Sequence, residues 1–280
     1  YPPFTSLYEF STIYLEHFNF YIIMRIFNVK QIELFLKNLF SNEKDSLKRR
    51  SIRFYKKPVE REIRLLDNLT SNKLASIDIG VYRGVYTYHL NKQSSHVYAF
   101  EANKLIQDSL KKAFKDFKSI TLENIAVSSS SGKSYLKIPY RNKKISYEDP
   151  EQKYELGLAT IHSKNDLDNK NFYEIEIDKT SLDDYKFKHP IGFIKIDVEG
   201  HELEIIKGAE KLINLYKPNL LLEIEQRHTG LAPIKIINQI KEKGYDCYVV
   251  KDSDFSLIKI NEENIDLFEN NNYIFKPLDR

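Results

Sequence analysis

Asp78, Gly80, Gly84, Glu101, Asp197, Glu199, His201 and His228 are the residues whose types and spacing could bind a nucleotide-like cofactor and move a proton. The first three lie in Ser76-Ile77-Asp78-Ile79-Gly80-Val81-Tyr82-Arg83-Gly84. This stretch reads as a short apolar strand ending in an acid, a two-glycine turn, and a helix starting near Val85. α/β proteins open a nucleotide site in this way, at the carboxyl end of the first strand. The spacing is Asp-x-Gly-x-x-x-Gly, not the Gly-x-Gly-x-x-Gly that cradles a pyrophosphate. A carboxylate in the loop repels phosphate and attracts the ammonium of an amino-acid moiety. The cofactor this predicts is S-adenosylmethionine, with its carboxylate at the amides of the helix start.

Glu101 closes Tyr98-Ala99-Phe100-Glu101, a second strand, where an acid can accept hydrogen bonds from both ribose hydroxyls of an adenosine. It suits NAD equally, so the glycine spacing decides between the two. The third group is Phe193-Ile194-Lys195-Ile196-Asp197-Val198-Glu199-Gly200-His201-Glu202, a buried strand entering a helix through an acid-rich turn. In a doubly wound sheet this fourth strand lies beside the first, at the topological switch point. Asp197 and Glu199 then face Asp78 and Gly80 across the crevice. Lys195 needs a carboxylate partner if buried, and Glu223 or Glu225 could supply it. Asp197, Glu199 and Glu225 could also surround magnesium, but nothing in their spacing requires it, and no metal is assigned. An acceptor hydroxyl needs a base to take its proton. The candidates are His201, Glu199 and His228, with Asp197 free to orient the donor instead.

The elements that must position these residues alternate. Strands are expected at Ala75–Ile79, Val97–Phe100, Ile120–Val127, Ile191–Ile196, Asn219–Ile224, Asp246–Val250 and Tyr273–Phe275. Helices are expected at Val85–Leu90, Asn103–Phe117, Glu202–Leu215 and Pro233–Lys243. Such alternation implies a mostly parallel sheet with helices on both faces. Residues 128–190 break the rhythm. Ser134–Pro139 and Phe172–Ile177 read as extended, and the polar stretch Tyr140–Lys170 between them reads as a lid or recognition insertion. Residues 30–70 read as helical. They are divided by Lys48-Arg49-Arg50 with Arg53, Lys56 and Lys57, either a solvated linker or a weak contact for phosphate or a membrane surface.

The 280 residues, 41% of them hydrophobic, suffice for one decorated α/β domain, and a net charge of +3 implies no nucleic-acid partner. The single cysteine, Cys247, excludes an internal disulfide and suits a cytoplasmic protein. No run of about 18 apolar residues offers a membrane span. The apolar stretch from Phe18 to Phe27 is interrupted by Asn19 and Arg25 and lacks the flanks of a signal peptide. Met24 is a candidate start, which would leave residues 1–23 outside the native fold.

Asp197-Val198-Glu199-Gly200-His201-Glu202-Leu203-Glu204-Ile205-Ile206-Lys207-Gly208-Ala209 closely resembles the signature of the FkbM-type methyltransferases. Ser76–Thr87 resembles their first motif and Tyr98–Asn103 their Phe-Glu segment. Asn124-Ile125-Ala126-Val127 with Gly132, Lys179–Asp184, Leu221–Glu225 and Asn272-Tyr273-Ile274-Phe275 resemble the remaining elements, so the likeness covers roughly 55–276. It implies a Rossmann-like α/β fold with a seven-stranded, mostly parallel sheet whose last strand is antiparallel, preceded by an N-terminal helical extension over 1–54. The methyltransferase domain would fill 55–280, with an insertion near 139–172. The implied activity is S-adenosylmethionine-dependent methylation of a hydroxyl on a sugar, glycan or secondary metabolite. The implied cofactor-binding residues are Asp78, Gly80, Gly84, Thr87, Glu101, Asn103, Ala126 and Asp197. One departure stands out. The family carries Gly-Ala-Asn-x-Gly in the first loop where this chain has Gly80-Val81-Tyr82-Arg83-Gly84, so contacts from the Asn side chain are lost and bulkier groups enter. A nicotinamide-dependent oxidoreductase and a non-catalytic module of the same fold remain the alternatives.

Overall fold

A computed structural model describes residues 42–57, 60–140, 155–163, 165, 167, 171–268 and 271–278. Met24, the helix expected over 30–41 and the insertion over 141–154 lie outside these residues. In chain order, α1 (Glu43–Lys56) and α2 (Leu66–Leu69) lead into β1 (Ala75–Ile79), α3 (Val85–Leu90), β2 (Val97–Phe100), α4 (Gln107–Phe114), β3 (Ile120–Glu123) and β4 (Ala126–Val127). Then come β5 (Gly132–Pro139), β6 (Phe172–Thr180), β7 (Ile191–Ile196), α5 (Glu202–Lys207), α6 (Glu210–Tyr216) and β8 (Asn219–Glu223). The chain continues through α7 (Gln226–Thr229), α8 (Pro233–Lys241), β9 (Tyr245–Val250), β10 (Leu257–Lys259) and β11 (Asn272–Pro277).

Eight strands form the main sheet in the order β3-β2-β1-β7-β8-β11-β9-β10. From β3 to β8 the neighbours are parallel, and β11 runs antiparallel to both β8 and β9. The seven strands expected are all present, with the last antiparallel. The eighth, β10, is a short antiparallel edge strand whose three residues carry too little pattern to read. Chain order reverses between β1 and β7, which is where an open α/β sheet leaves a crevice for a ligand.

β1, β2 and β7 are buried along their whole length, as strands covered on both faces must be. Ile77, Ile79, Ile194 and Ile196 pack into the core beside α5, α6 and α8, while Phe193 and Leu221 join Tyr86 and Leu90 on the opposite face. Because side chains alternate along a strand, Asp78 and Lys195 point to that second face, paired in register on neighbouring strands.

Two expected elements are broken, each by a polar side chain that takes backbone partners. The run Ile120–Val127 divides because Asn124 Nδ2 donates to the carbonyls of Glu101 and Ala102. β4 then leaves for a second, three-stranded sheet ordered β4-β6-β5. The helix expected over Glu202–Leu215 divides because the Asp183 carboxylate accepts from the amides of Lys211 and Leu212 and starts α6 afresh. The two extended segments around the insertion pair as the antiparallel β5–β6 ladder.

The basic stretch belongs to α1 rather than to a linker. Leu47 and Ser51 are buried, α1 packs on α3 and α4, and Lys48, Arg49, Arg53, Lys56 and Lys57 remain exposed. The boundary expected at residue 54 falls in the last turn of this helix. No helix among the described residues is long and apolar enough to cross a membrane.

Candidate active site

The crevice at the switch point is a cavity of about 580 Å³. Its walls are the loop after β1 (Gly80, Tyr82), the ends of β2 (Phe100, Glu101) and β4 (Ala126, Val127), the turn after β7 (Asp197, Glu199, His201), Glu223, and a strap of residues 155–161. Gly80 has φ of +81°, and a Cβ there would lie 1.8 Å from the Asp197 carbonyl oxygen. Only glycine lets the β1 and β7 ends approach this closely.

Glu101 sits at the end of β2 with both oxygens directed by backbone. Oε2 accepts from the Tyr82 amide and Oε1 from the Asn103 amide, each at 2.8 Å. Burial pushes its carboxyl up to about 7, against the pull of those two amides. Each oxygen keeps a second lone pair, so a diol can still be received. Asn103 is buried and its Oδ1 accepts from the Leu105 amide. It supports the Glu101 turn and is not part of the cavity wall.

Asp78, Gly84 and Thr87 also lie behind the cavity wall. The Asp78 carboxylate is fully buried, accepts from Thr87 Oγ1 at 2.5 Å and lies 3.7 Å from Lys195 Nζ. Its charge therefore serves Lys195 beneath the loop, where the sequence suggested an ammonium of the cofactor. Gly84 has φ of +76° and packs against Phe114 and Leu47. Lys195 Nζ also donates to Asp197 Oδ2 at 3.0 Å and to the Gly80 carbonyl at 3.3 Å, so its partners are Asp197 and Asp78 instead of Glu223 or Glu225. Burial opposes the Asp197 charge, but Lys195 and a hydrogen bond from Glu223 outweigh it and hold its carboxyl below the ordinary range. Glu223 moves the other way. Burial and the Asp197 charge raise it well above a normal carboxylate, which keeps it protonated at neutral pH.

The three base candidates separate cleanly. Glu199 is nine-tenths buried, lines the cavity, and has its Oε2 3.0 Å from His228 Nε2. Burial raises the Glu199 carboxyl. Burial alone would lower His228, but the hydrogen bond and charge of Glu199 outweigh it and leave the imidazole above its ordinary value. His228 is buried behind Glu199 and also lies 3.8 Å from Glu225. His201 lines the cavity elsewhere, with Nε2 3.0 Å from Ser128 Oγ, and burial pushes it down to about 4. Asp197, Glu199 and Glu223 bring carboxylate oxygens within 4.8 Å of one another, without Glu225. Lys195 Nζ lies 3.0 Å from Asp197 in this cluster and offsets part of its charge.

Sequence reasoning named no residue of the strap and did not place Tyr82 in the cavity. The strap lies within Tyr140–Lys170, the stretch expected to be a lid or recognition insertion, where no single residue stood out. Tyr82 occupies the place of the family's Asn at φ of +47°, a left-handed conformation that Asn tolerates better than Tyr. Its ring lies against Gly157 in the strap, where a Cβ would come 3.1 Å from two ring atoms.

A doubly wound sheet with a glycine loop and an acid at the end of the second strand, around a cavity of this size, is the arrangement of an α/β nucleotide-cofactor site. The sequence matches the methyltransferase FkbM domain over residues 78–247. The chain belongs to this family, and S-adenosylmethionine is its cofactor. Among curated proteins none matches the chain. Among solved structures, the chain is similar to methyltransferase FkbM from Methylobacillus flagellatus KT, at 16% identity over 74% of this chain and 44% of that one, with a TM-score of 0.46. The chain thus spans less than half the length of that protein. An rRNA methylase from Streptococcus thermophilus is similar at 10% identity over 79% of this chain and 96% of its own, with a TM-score of 0.38. A Streptococcus mutans protein described as a methyltransferase in complex with SAH is similar at 11% identity over 79% and 98%, with a TM-score of 0.40.

The residues present fit the cofactor. Phe100, Glu101, Ala126, Val127, Asp197 and Glu199 all line the cavity. In it Glu101 would receive the ribose diol, the apolar residues the adenine, and the two other acids the sulfonium end. Glu101→Ala is expected to raise the dissociation constant for S-adenosylmethionine more than tenfold by calorimetry. An unchanged constant would show that the ribose lies elsewhere. Because the ionised carboxylate is the better diol acceptor and Glu101 titrates near 7, binding should strengthen as pH rises from 6 to 8.

Proposed function

We propose that the chain methylates a hydroxyl oxygen of a sugar, glycan or secondary metabolite, with Glu199 as the base and His228 holding it in place. The observation that carries this reading is the Glu199–His228 contact of 3.0 Å, with Glu199 forming part of the cavity wall. The cofactor, when bound, supplies an activated methyl group. The chain aligns the acceptor oxygen and removes its proton as the new bond forms. A base works best when its pKa lies near the working pH, and burial moves Glu199 in that direction. His201, pushed down to about 4, holds a proton poorly at neutrality and is better suited to contact the acceptor or Ser128. Asp197, tied to Lys195, stays ionised and faces the donor.

The test is a labelled-methyl screen over sugars, lipid-linked glycans and polyketide alcohols, run beside calorimetry with S-adenosylhomocysteine and NAD. Transfer to oxygen in one of these classes supports the reading. Binding of S-adenosylhomocysteine with transfer only to nitrogen or carbon acceptors overturns the oxygen assignment. Binding of neither nucleotide favours the non-catalytic module.

A further inference from the structure

The turn that carries Glu199 is strained. Glu199 itself has φ of +55°, a left-handed conformation unfavourable for a residue that carries a side chain. Gly200 follows at φ of +104°, pressed against His228. Strain of this kind persists only where surrounding contacts over-determine the backbone. The contacts come from Thr160 in the strap and from Asn165 beyond it. Thr160 Oγ1 donates to the Glu199 carbonyl at 3.0 Å, and Asn165 Nδ2 donates to the same oxygen at 2.8 Å. Both residues are buried, at 1% and 4% exposure. Thr160 is fixed in turn by paired backbone hydrogen bonds with Lys137 on the free edge of β5, and Asn165 Oδ1 accepts from the Leu167 amide.

We infer that Thr160 and Asn165 are positioning residues. By holding the Glu199 carbonyl from two sides they fix the left-handed turn and so aim the Glu199 carboxylate at His228 and the cavity. This rests on the assignment of Glu199 as the base. The strap gains a defined task from it. One end, at Gly157, lies on the Tyr82 ring beside the Glu101 subsite, and the other sets the geometry of the proton acceptor. A carbonyl that accepts two hydrogen bonds resists the peptide rotation that would release the turn. Removing both donors leaves a buried carbonyl unsatisfied, so the turn relaxes and the carboxylate leaves His228.

The experiment uses the full chain with Thr160→Val and Asn165→Leu combined, and Thr160→Ser as the conservative control that keeps its donor. Three quantities are read: the melting temperature, the affinity for S-adenosylhomocysteine, and the His228 imidazole titration by nitrogen-edited NMR, assigned with His228→Gln. The double variant is expected to bind S-adenosylhomocysteine within threefold of the parent. Its His228 midpoint should fall by about half a pH unit or more, because burial still lowers it and Glu199 no longer raises it. Thr160→Ser should titrate like the parent. A folded double variant with the parental His228 midpoint overturns the inference, whether or not its nucleotide affinity has dropped. If the double variant does not fold, Thr160→Val alone decides, with a smaller shift expected and the same overturning result. The base assignment fails separately. A shifted His228 in the strap variant together with full methyl transfer by Glu199→Gln would leave the positioning contact standing and remove the base.

Discussion

Glu199→Gln is expected to slow methyl transfer by about 10²–10⁴-fold while leaving the dissociation constant for S-adenosylhomocysteine within about threefold of the parent. The substitution keeps the size of the side chain and its hydrogen bond to His228 Nε2, so the cavity wall survives. What is lost is the ability to accept a proton from the acceptor oxygen at a fixed distance. The pH profile gives a second readout. Burial raises the Glu199 carboxyl, so the parental rate should rise with pH through a midpoint above the ordinary carboxylate range. Residual turnover of the Glu199→Gln variant should lack that limb. His228→Gln should be milder, because it removes the orienting contact and leaves the carboxylate in the cavity. A Glu199→Gln enzyme of parental rate and unchanged pH profile would return the base role to another cavity residue, His201 first.

Much of this site could be read from residue order because its determinants are local. β1, β2 and β7 are continuous apolar runs, and their ends place Gly80, Glu101 and Asp197 along one edge of the sheet. What could not be read is how charge is distributed below that edge. Asp78 is in the most legible motif of the chain, yet alternation along β1 turns it away from the cavity and toward Lys195 on the next strand. Glu223 and Glu225 are two residues apart and indistinguishable by type. In the fold Glu223 lines the cavity, while Glu225 faces Arg227, His228 and Asn271. Within the stretch expected as a lid or recognition insertion, the residues that matter could not be singled out, for a different reason. Thr160 and Asn165 make their decisive contacts to a carbonyl more than thirty positions away, and a backbone acceptor leaves no trace in residue type. Tyr82 shows the same limit. Its bulk in a glycine loop looked like an intrusion, but the gap it fills is created by Gly157 in a segment that carries no motif.

The Lys195 network sets the largest expected effect on stability. Asp78 is fully buried, its register partner Lys195 is 5% exposed, and both are enclosed between α3 and the strand ends. Lys195 remains charged although burial opposes it, because Asp197, Asp78 and, with a smaller effect, Glu60 outweigh that penalty. Lys195→Met keeps the apolar length of the side chain and removes the charge. Breaking a buried ion pair from one side costs roughly 3–5 kcal/mol, because the partner is left uncompensated. Chemical denaturation at neutral pH should show a loss of that order. The deficit should also depend on pH in a definite direction. Burial already raises the Asp78 carboxyl, and without Lys195 it rises further above its unfolded value. The folded variant then holds a proton that the unfolded chain has released, so its stability falls as pH climbs through the interval between the two values. The variant should therefore lie closest to the parent in acid and furthest from it near neutrality. Asp78→Asn in the same background removes the uncompensated charge while Thr87 can still donate to the amide oxygen, and it should recover part of the loss at neutral pH. A Lys195→Met protein as stable as the parent, with no recovery from the second change, would mean that Asp78 is already protonated in the native state and that the Lys195 charge adds nothing to stability.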